Sequence, residues 1–228
     1  MRDRNCKSNE RLMTYTLIVG TKEWSSWSLR PYLALRHIGV AFAEEVVPLT
    51  YGAPTPGMAK RSPSARVPVL VIEENGRTTT VWDSLAICET LAERHPEAKL
   101  WPEDAYQRAI ARAYAAEMHS GFPDLRAQLP LDFVRRLKLP ELREATKAQI
   151  ARIQEAWETA LGRRADGFLF GNFSIADCMY APVVSRFLTY GVELSPRLAA
   201  YADKMMALPG MRDWGKAAQA EVDAGLAG

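Results

Sequence analysis

RVPVLVIEENGRTTTVWDSLAI, residues Arg66 to Ile87, holds a Val-Pro step, an apolar strand, an Asn-Gly turn, a second strand and a helix start. At Val67-Pro68 the proline amide lowers the cost of a cis bond, so an unusual backbone shape is cheapest there. Val69, Leu70, Val71 and Ile72 read as a buried strand, and Glu73-Glu74-Asn75-Gly76 supplies residues that tolerate positive φ for a hairpin into Arg77 to Trp82. Asp83-Ser84 follows as an acidic helix entrance. Ser84 is expected to cap a helix from Leu85 to Arg94, whose free N–H groups and positive dipole end favour a bound carboxylate.

N-terminal to this stretch, Tyr15 to Val19 is a short β-rich run ending at Gly20, and a helical pattern runs from about Ser28 to Ile38 with Gly39 as its stop. Pro31 would clash with the carbonyl of Trp27, which places Trp27 at or before the helix start. Ser25 and Ser26 then sit in the loop facing the helix N-terminus, where an anion meets free N–H donors. That arrangement suits thiol activation: a free cysteine thiol titrates near ~8.5, and donors at a helix start bring it toward neutrality. A tenfold gain in the thiolate population corresponds to about 1.4 kcal/mol. Serines before a helix are also ordinary caps.

The Val-Pro strand, the hairpin and the Asp-Ser pair resemble the glutathione-binding half of a glutathione S-transferase. Trp24-Ser25-Ser26-Trp27-Ser28-Leu29-Arg30 resembles the Ser-Ser-x-Ser-x-Arg segment of zeta-like and related bacterial members. The resemblance implies a cis Pro68, a Val67 backbone pairing with the cysteinyl part of glutathione, and Asp83 with Ser84 holding its γ-glutamyl end. It makes Ser25 the thiolate-stabilising residue, with Ser26 the second choice. The zeta pattern has Cys where this chain has Trp27, which argues against cis-trans isomerase activity of the maleylacetoacetate or maleylpyruvate type and removes a candidate catalytic cysteine. Lys60 and Arg66 lie close to the Val67-Pro68 step and can offset the carboxylates of glutathione.

The remainder sets the frame. Of 228 residues, 29 are basic and 27 acidic, a net charge of +2 with no basic face or tail, so a nucleic-acid role has no electrostatic footprint. No apolar run approaches the roughly 18 to 20 residues that span a bilayer, and a cytoplasmic protein is expected. Residues 1–12, MRDRNCKSNERL, lack an apolar segment, which argues against an ordinary secretory signal. Residues 1–13 are read as a disordered extension, with Met13 a candidate start. Cys6, Cys88 and Cys178 and the three histidines are scattered, so no metal site is expected.

After His95-Pro96 everything reads helical, including a long helix from Leu139 with Ile150, Ile153, Trp157 and Leu161 on one stripe and a stripe of Ile110, Tyr114, Met118 and Phe122 before it. Ser174 and Asp177 form a near capping box that resembles the one before the buried helix of the transferase C-terminal domain, a folding role. The expected fold is a thioredoxin-like α/β domain (βαβαββα) over residues 14–96 followed by an all-α helical bundle over 97–228. By position in that fold, the electrophile pocket falls to Trp27, Met118, His119, Phe122 and Arg126. The resemblance implies a homodimer that conjugates glutathione, as co-substrate, to a small hydrophobic electrophile. A glutathione-dependent isomerase and a non-catalytic ligand carrier or interaction module are the alternatives.

Overall fold

The computed structural model describes residues 13–50, 55, 57–162 and 167–226. Of the extension expected over residues 1–13, residues 1–12 lie outside them, as do Pro54 and Pro56 before the Val-Pro step.

The first half is a four-stranded sheet in the order β2-β1-β3-β4, built from β1 (Met13–Gly20), β2 (Ala43–Val47), β3 (Val69–Glu74) and β4 (Arg77–Trp82). Met13 opens β1 opposite Glu74, so the strand starts one residue before the expected domain start. β1 and β2 pair in parallel, which requires a crossover, and α1 (Ser26–Ile38) supplies it. β3 pairs antiparallel with both β1 and β4. The hairpin turns where it is expected, with Asn75 at φ 53° and Gly76 at φ 73°. Those are the left-handed values that a tight hairpin demands and that Asn and Gly meet at least cost. The second helix of the expected βαβαββα order is a single 3₁₀ turn, Met58–Lys60, among the described residues, because Gly57 and the neighbouring prolines break the run. α2 (Ser84–Arg94) closes the half.

The second half is helical: α3 (Ala105–Ser120), α4 (Pro123–Gln128), α5 (Glu144–Leu161), α6 (Ile175–Tyr190), α7 (Pro196–Met206) and α8 (Pro209–Asp223). α5 starts at Glu144 rather than Leu139, five residues late, since Pro140 lies in the expected first turn and Arg143 is the extended residue before the helix. Ile150, Ile153, Trp157 and Leu161 are buried as the stripe predicts, and Trp157 packs against Tyr180, Phe187 and Tyr201 with ring centroids 5.2 to 5.9 Å apart. Ile110 departs from its stripe: it is 45% exposed while Met118 is fully buried.

α6 is buried along nearly its whole length and packs against α1, so one continuous core joins the halves. Its start carries the capping box. The Asp177 carboxylate accepts from the Ser174 N–H (2.9 Å) and hydroxyl (3.0 Å), from the Leu169 N–H and from the Tyr201 hydroxyl (both 3.1 Å).

Candidate active site

The loop between β1 and α1 carries the two serines and is tied down by the second half of the chain. The Trp214 indole N–H donates to the Lys22 carbonyl (2.9 Å), and the Phe133 N–H donates to the Glu23 carbonyl (3.3 Å). The Glu23 carboxyl accepts from the Val134 N–H (3.1 Å), and the Glu23 N–H donates to Glu221 (3.1 Å). Burial, with the Asp132 carboxyl beside it, pushes Glu23 up to about 8.

α1 starts at Ser26, two residues before the expected Ser28, with Ser25 at the cap position and Trp27 inside the first turn. The Ser25 carbonyl accepts from the Leu29 N–H (3.3 Å), which draws Trp27 into the helix although Pro31 leaves the Trp27 carbonyl without its helical donor. No acidic residue occupies this first turn, so the positive end of the helix is not neutralised locally. Ser25 and Ser26 are only 4% and 5% exposed. The Ser25 hydroxyl donates to the Ser28 hydroxyl oxygen (2.7 Å), which also accepts from the Gly20 N–H (3.1 Å). Ser25 therefore makes no cap bond of its own; its partner is Ser28, which sequence reasoning treated as part of the helix.

The Val67-Pro68 bond is cis. Across the sheet end, Asp83 and not Ser84 caps α2: its carboxylate accepts from the N–H groups of Leu85 (2.9 Å) and Ala86 (3.3 Å). Asp wins because its backbone, at φ 76° and ψ 130°, leaves the helix line one residue earlier than expected. A residue with a side chain adopts that conformation at a cost of order 1–3 kcal/mol, a signature that clusters at ligand sites. Ser84 becomes the first helical residue, 1% exposed, and its oxygen accepts from Arg30 Nη1 (3.3 Å).

These pieces meet in a cleft of about 400 Å³ lined by Trp27, Ser64, Arg66, Val67, Pro68, Trp82, Asp83 and Ser84. Sequence reasoning named all of these except Ser64 and Trp82; the Trp at the strand end directly before Asp83 was the available signal. Lys60 is exposed on the 3₁₀ turn and is not among the lining residues. The residues assigned to an electrophile pocket divide. Met118 is fully buried core, and Phe122 is 6% exposed. His119 and Arg126 instead surround Trp27: His119 meets its ring edge-on at 5.3 Å, and the Arg126 guanidinium lies 4.8 Å from the ring centroid. His119 Nε2 also lies 3.1 Å from Asp83 Oδ2, and burial holds this imidazole below its ordinary range.

A second cleft, about 610 Å³ and mostly apolar, opens beside Trp24 and is walled by Leu49, Pro130, Leu131, Leu137 and Tyr190, with Thr50, Thr55, Asp132 and Arg135. Ser25 and Ser26 thus lie on the backbone that joins Trp24 of one cleft to Trp27 of the other. None of the residues assigned to the electrophile pocket lines this second cleft. Cys88, fully buried, is pushed up to about 12 by burial and offers no reactive thiolate.

The family model for the glutathione S-transferase N-terminal domain matches residues 24–94, and that for the C-terminal domain matches residues 140–217. A probable maleylacetoacetate isomerase of Caenorhabditis elegans is 29% identical over 178 residues, 75% of this chain and 78% of that protein. Among solved structures, a glutathione transferase homolog from Burkholderia with bound glutathione superposes with a TM-score of 0.71 at 25% identity, covering 91% of this chain and 99% of that one. The maleylacetoacetate isomerase of Anaeromyxobacter dehalogenans, solved with glutathione in its active site, is 30% identical with a TM-score of 0.66, covering 90% of this chain and 95% of that one. With both domain models matched in order and the cis proline, the start of the capped α2 and Trp27 of the first turn of α1 lining one cleft, the chain belongs to the glutathione S-transferase family.

Proposed function

We propose that this protein binds glutathione in the cleft between Trp27, Val67 and Asp83, activates its thiol as thiolate through Ser25, and conjugates it to a small hydrophobic electrophile. The observation that carries the reading is the convergence of Val67-Pro68, Asp83 and Ser84 on the cleft whose inner wall is the first turn of α1. Asp83 accepts the γ-glutamyl ammonium, Ser84 and the N-terminus of α2 take its carboxylate, Arg66 offsets the glycine carboxylate, and the Val67 backbone pairs with the cysteinyl unit.

Ser28 supports the role of Ser25. Because the Gly20 N–H already fills one side of the Ser28 oxygen, the Ser28 hydroxyl can turn its own proton onto Ser25, which frees the Ser25 proton for the sulfur. Ser26, one residue on, is the second candidate. The electrophile enters from the apolar cleft beside Trp24, and the protein acts as a homodimer through α2 and α3, where Tyr106 and Ile110 stand exposed.

The test is an ultraviolet absorbance titration of bound glutathione in wild type, Ser25→Ala and Ser26→Ala. The wild type is expected to hold the thiol pKa below that of free glutathione by about 1 to 2, equivalent to about 1.4 to 2.8 kcal/mol. Ser25→Ala alone should abolish that difference. Binding with an unperturbed thiol would sink the catalytic reading and leave a ligand carrier. A second reading, cis-trans isomerisation of a maleyl-type acid, is favoured by the names of two relatives and opposed by Trp27 in place of the zeta cysteine. Turnover of a maleyl substrate with no conjugate formed would decide for it.

A further inference from the structure

The cleft beside Trp24 is walled by apolar and aromatic side chains and two threonines, with one ion pair among them, Asp132 with Arg135. A surface arginine is ordinarily mobile and solvated. Arg135 is held. Its backbone N–H donates to Asp132 Oδ1 (2.9 Å) and its Nε to Oδ2 (2.6 Å), so both oxygens of one carboxylate fix it. Asp132 is only 4% exposed, and its own carbonyl accepts from the Thr189 hydroxyl of α6 (2.7 Å). The segment that carries both residues lies between α4 and α5 and forms neither helix nor strand, yet it is anchored on each side of Arg135. The Phe133 and Val134 N–H groups donate to Glu23, and the Leu137 N–H donates to the Thr189 carbonyl (2.8 Å).

What remains free is the far end of the guanidinium. Nη1 and Nη2 of Arg135 have no partner among the described residues, and the side chain is 51% exposed. Arg136, next in the chain, behaves differently: its Nη1 folds back onto the carbonyls of Val134 (3.4 Å) and Arg135 (3.1 Å). The local charge is positive beyond what Asp132 offsets, because Arg135, Arg136 and Lys138 follow it with no acid before Glu141.

We infer that Arg135 is a specificity-determining residue, and that it selects for the cleft beside Trp24 those electrophiles whose apolar body ends in a carboxylate. The paired N–H groups at the end of a guanidinium match the two oxygens of a carboxylate, and Asp132 holds that fork in place before any ligand arrives. An amide of the same shape offers one acceptor and no charge. The inference rests on the reading that this cleft receives the second substrate, and it names the class of that substrate. The carboxylate is a handle and takes no part in the chemistry. The glutathione sulfur forms a bond to the carbon that carries the leaving group, the bond to the leaving group breaks, that group departs with the electron pair, and the thiol proton has passed to solvent.

The experiment uses two pairs of probes that differ only in charge, with wild type, Arg135→Gln and Arg135→Lys. Binding is read by calorimetry with meta-nitrobenzoate and its primary amide, which carry no leaving group. Turnover with glutathione is read with para-chloro-meta-nitrobenzoate and its primary amide, whose chlorine leaves as chloride. Wild type should bind the acid about tenfold more tightly than the amide, the size expected of hydrogen bonds to a charged group. Arg135→Gln should weaken the acid and leave the amide unchanged, so that the preference disappears. Arg135→Lys, which keeps the charge without the fork, should retain part of it. In turnover the preference should appear in KM and not in kcat, and the ratio of acid to amide, compared between wild type and variant, cancels their different intrinsic reactivities. A segment merely loosened by the loss of Arg135 would weaken acid and amide alike, and that result overturns the inference, as does a wild type without preference or without binding of either probe. Turnover of both chlorides with no preference overturns the inference and leaves the transferase reading standing. Preferential binding of the acid with no turnover of either chloride does the reverse.

Discussion

α2 and α6 both begin with a Ser and an Asp, and in each the Asp takes part in capping, yet the two helix starts do opposite things. At α6 the Asp177 carboxylate is fully buried and accepts from four donors, so no lone pair is left for a ligand. At α2 the Asp83 side chain is 43% exposed and lines the cleft; Oδ1 takes the two helix N–H groups, and Oδ2 has His119 as its partner among the described residues. The chemistry of the residues is the same. Spare bonding capacity, set by burial and by a backbone at φ 76°, separates a residue that holds the fold from one that can hold a substrate.

The comparison breaks first at Asp177. Asp177→Ala leaves the Leu169 and Ser174 N–H groups and the Tyr201 hydroxyl buried without an acceptor, and should cost about 3–5 kcal/mol. Urea unfolding will show this as a lower midpoint, while the fraction still folded should bind glutathione as the wild type does. A loss of binding in the folded fraction would mean that the α6 start is coupled to the cleft.

Asp83→Gly turns the argument round. Glycine relieves a backbone strain of order 1–3 kcal/mol, and at a helix cap it costs only about a few tenths of a kcal/mol, so stability to unfolding should hold or rise. Glutathione affinity should fall at least tenfold, read by calorimetry. If stability drops by as much as in Asp177→Ala with affinity unchanged, Asp83 is a folding residue and the cleft is misassigned.

How much of this was legible in the sequence follows from the range of the forces involved. The hairpin at Asn75-Gly76, the buried stripe of α5 and the Ser174–Asp177 box are local patterns, and each stands where the sequence put it. Resemblance grouped Val67, Asp83 and Ser84, and the three line one cleft, but the cap was assigned one residue late, because only the three-dimensional backbone reveals that Asp83 takes the strained position. Arg30 and Ser28 were missed for a different reason. Their roles come from contacts to Ser84, 54 residues on, and to Gly20 and Ser25 across a loop, and no local period encodes them. The residues assigned to the electrophile pocket divide because Met118 and His119, though adjacent on α3, meet the core and Trp27 respectively.

Glu23 lies between the two cases, buried like Asp177 but two residues from Ser25, and its effect should be the smallest. Held up to about 8 by burial and by Asp132, it keeps its proton in the folded state through a pH range in which the unfolded chain, near the ordinary glutamate value, has lost it. The folded state therefore binds more protons, and stability should fall as pH rises from about 4.5 to about 8. The charged groups around it set the sign no differently: Asp132 opposes its ionisation, Arg135 favours it, Glu221 accepts from its backbone N–H, and Lys22 is engaged with Glu44. Glu23→Gln removes the titration while keeping an acceptor for the Val134 N–H. Thermal melts at pH 5, 6.5 and 8 should then show a shallower decline in Tm for the variant than for the wild type. Parallel slopes would mean that Glu23 is ionised throughout. If the slope flattens and the bound-thiol titration is unchanged, Glu23 belongs with Asp177 as a folding residue. If the thiol titration moves as well, the carboxyl that ties the serine loop to the helical half also sets where Ser25 stands.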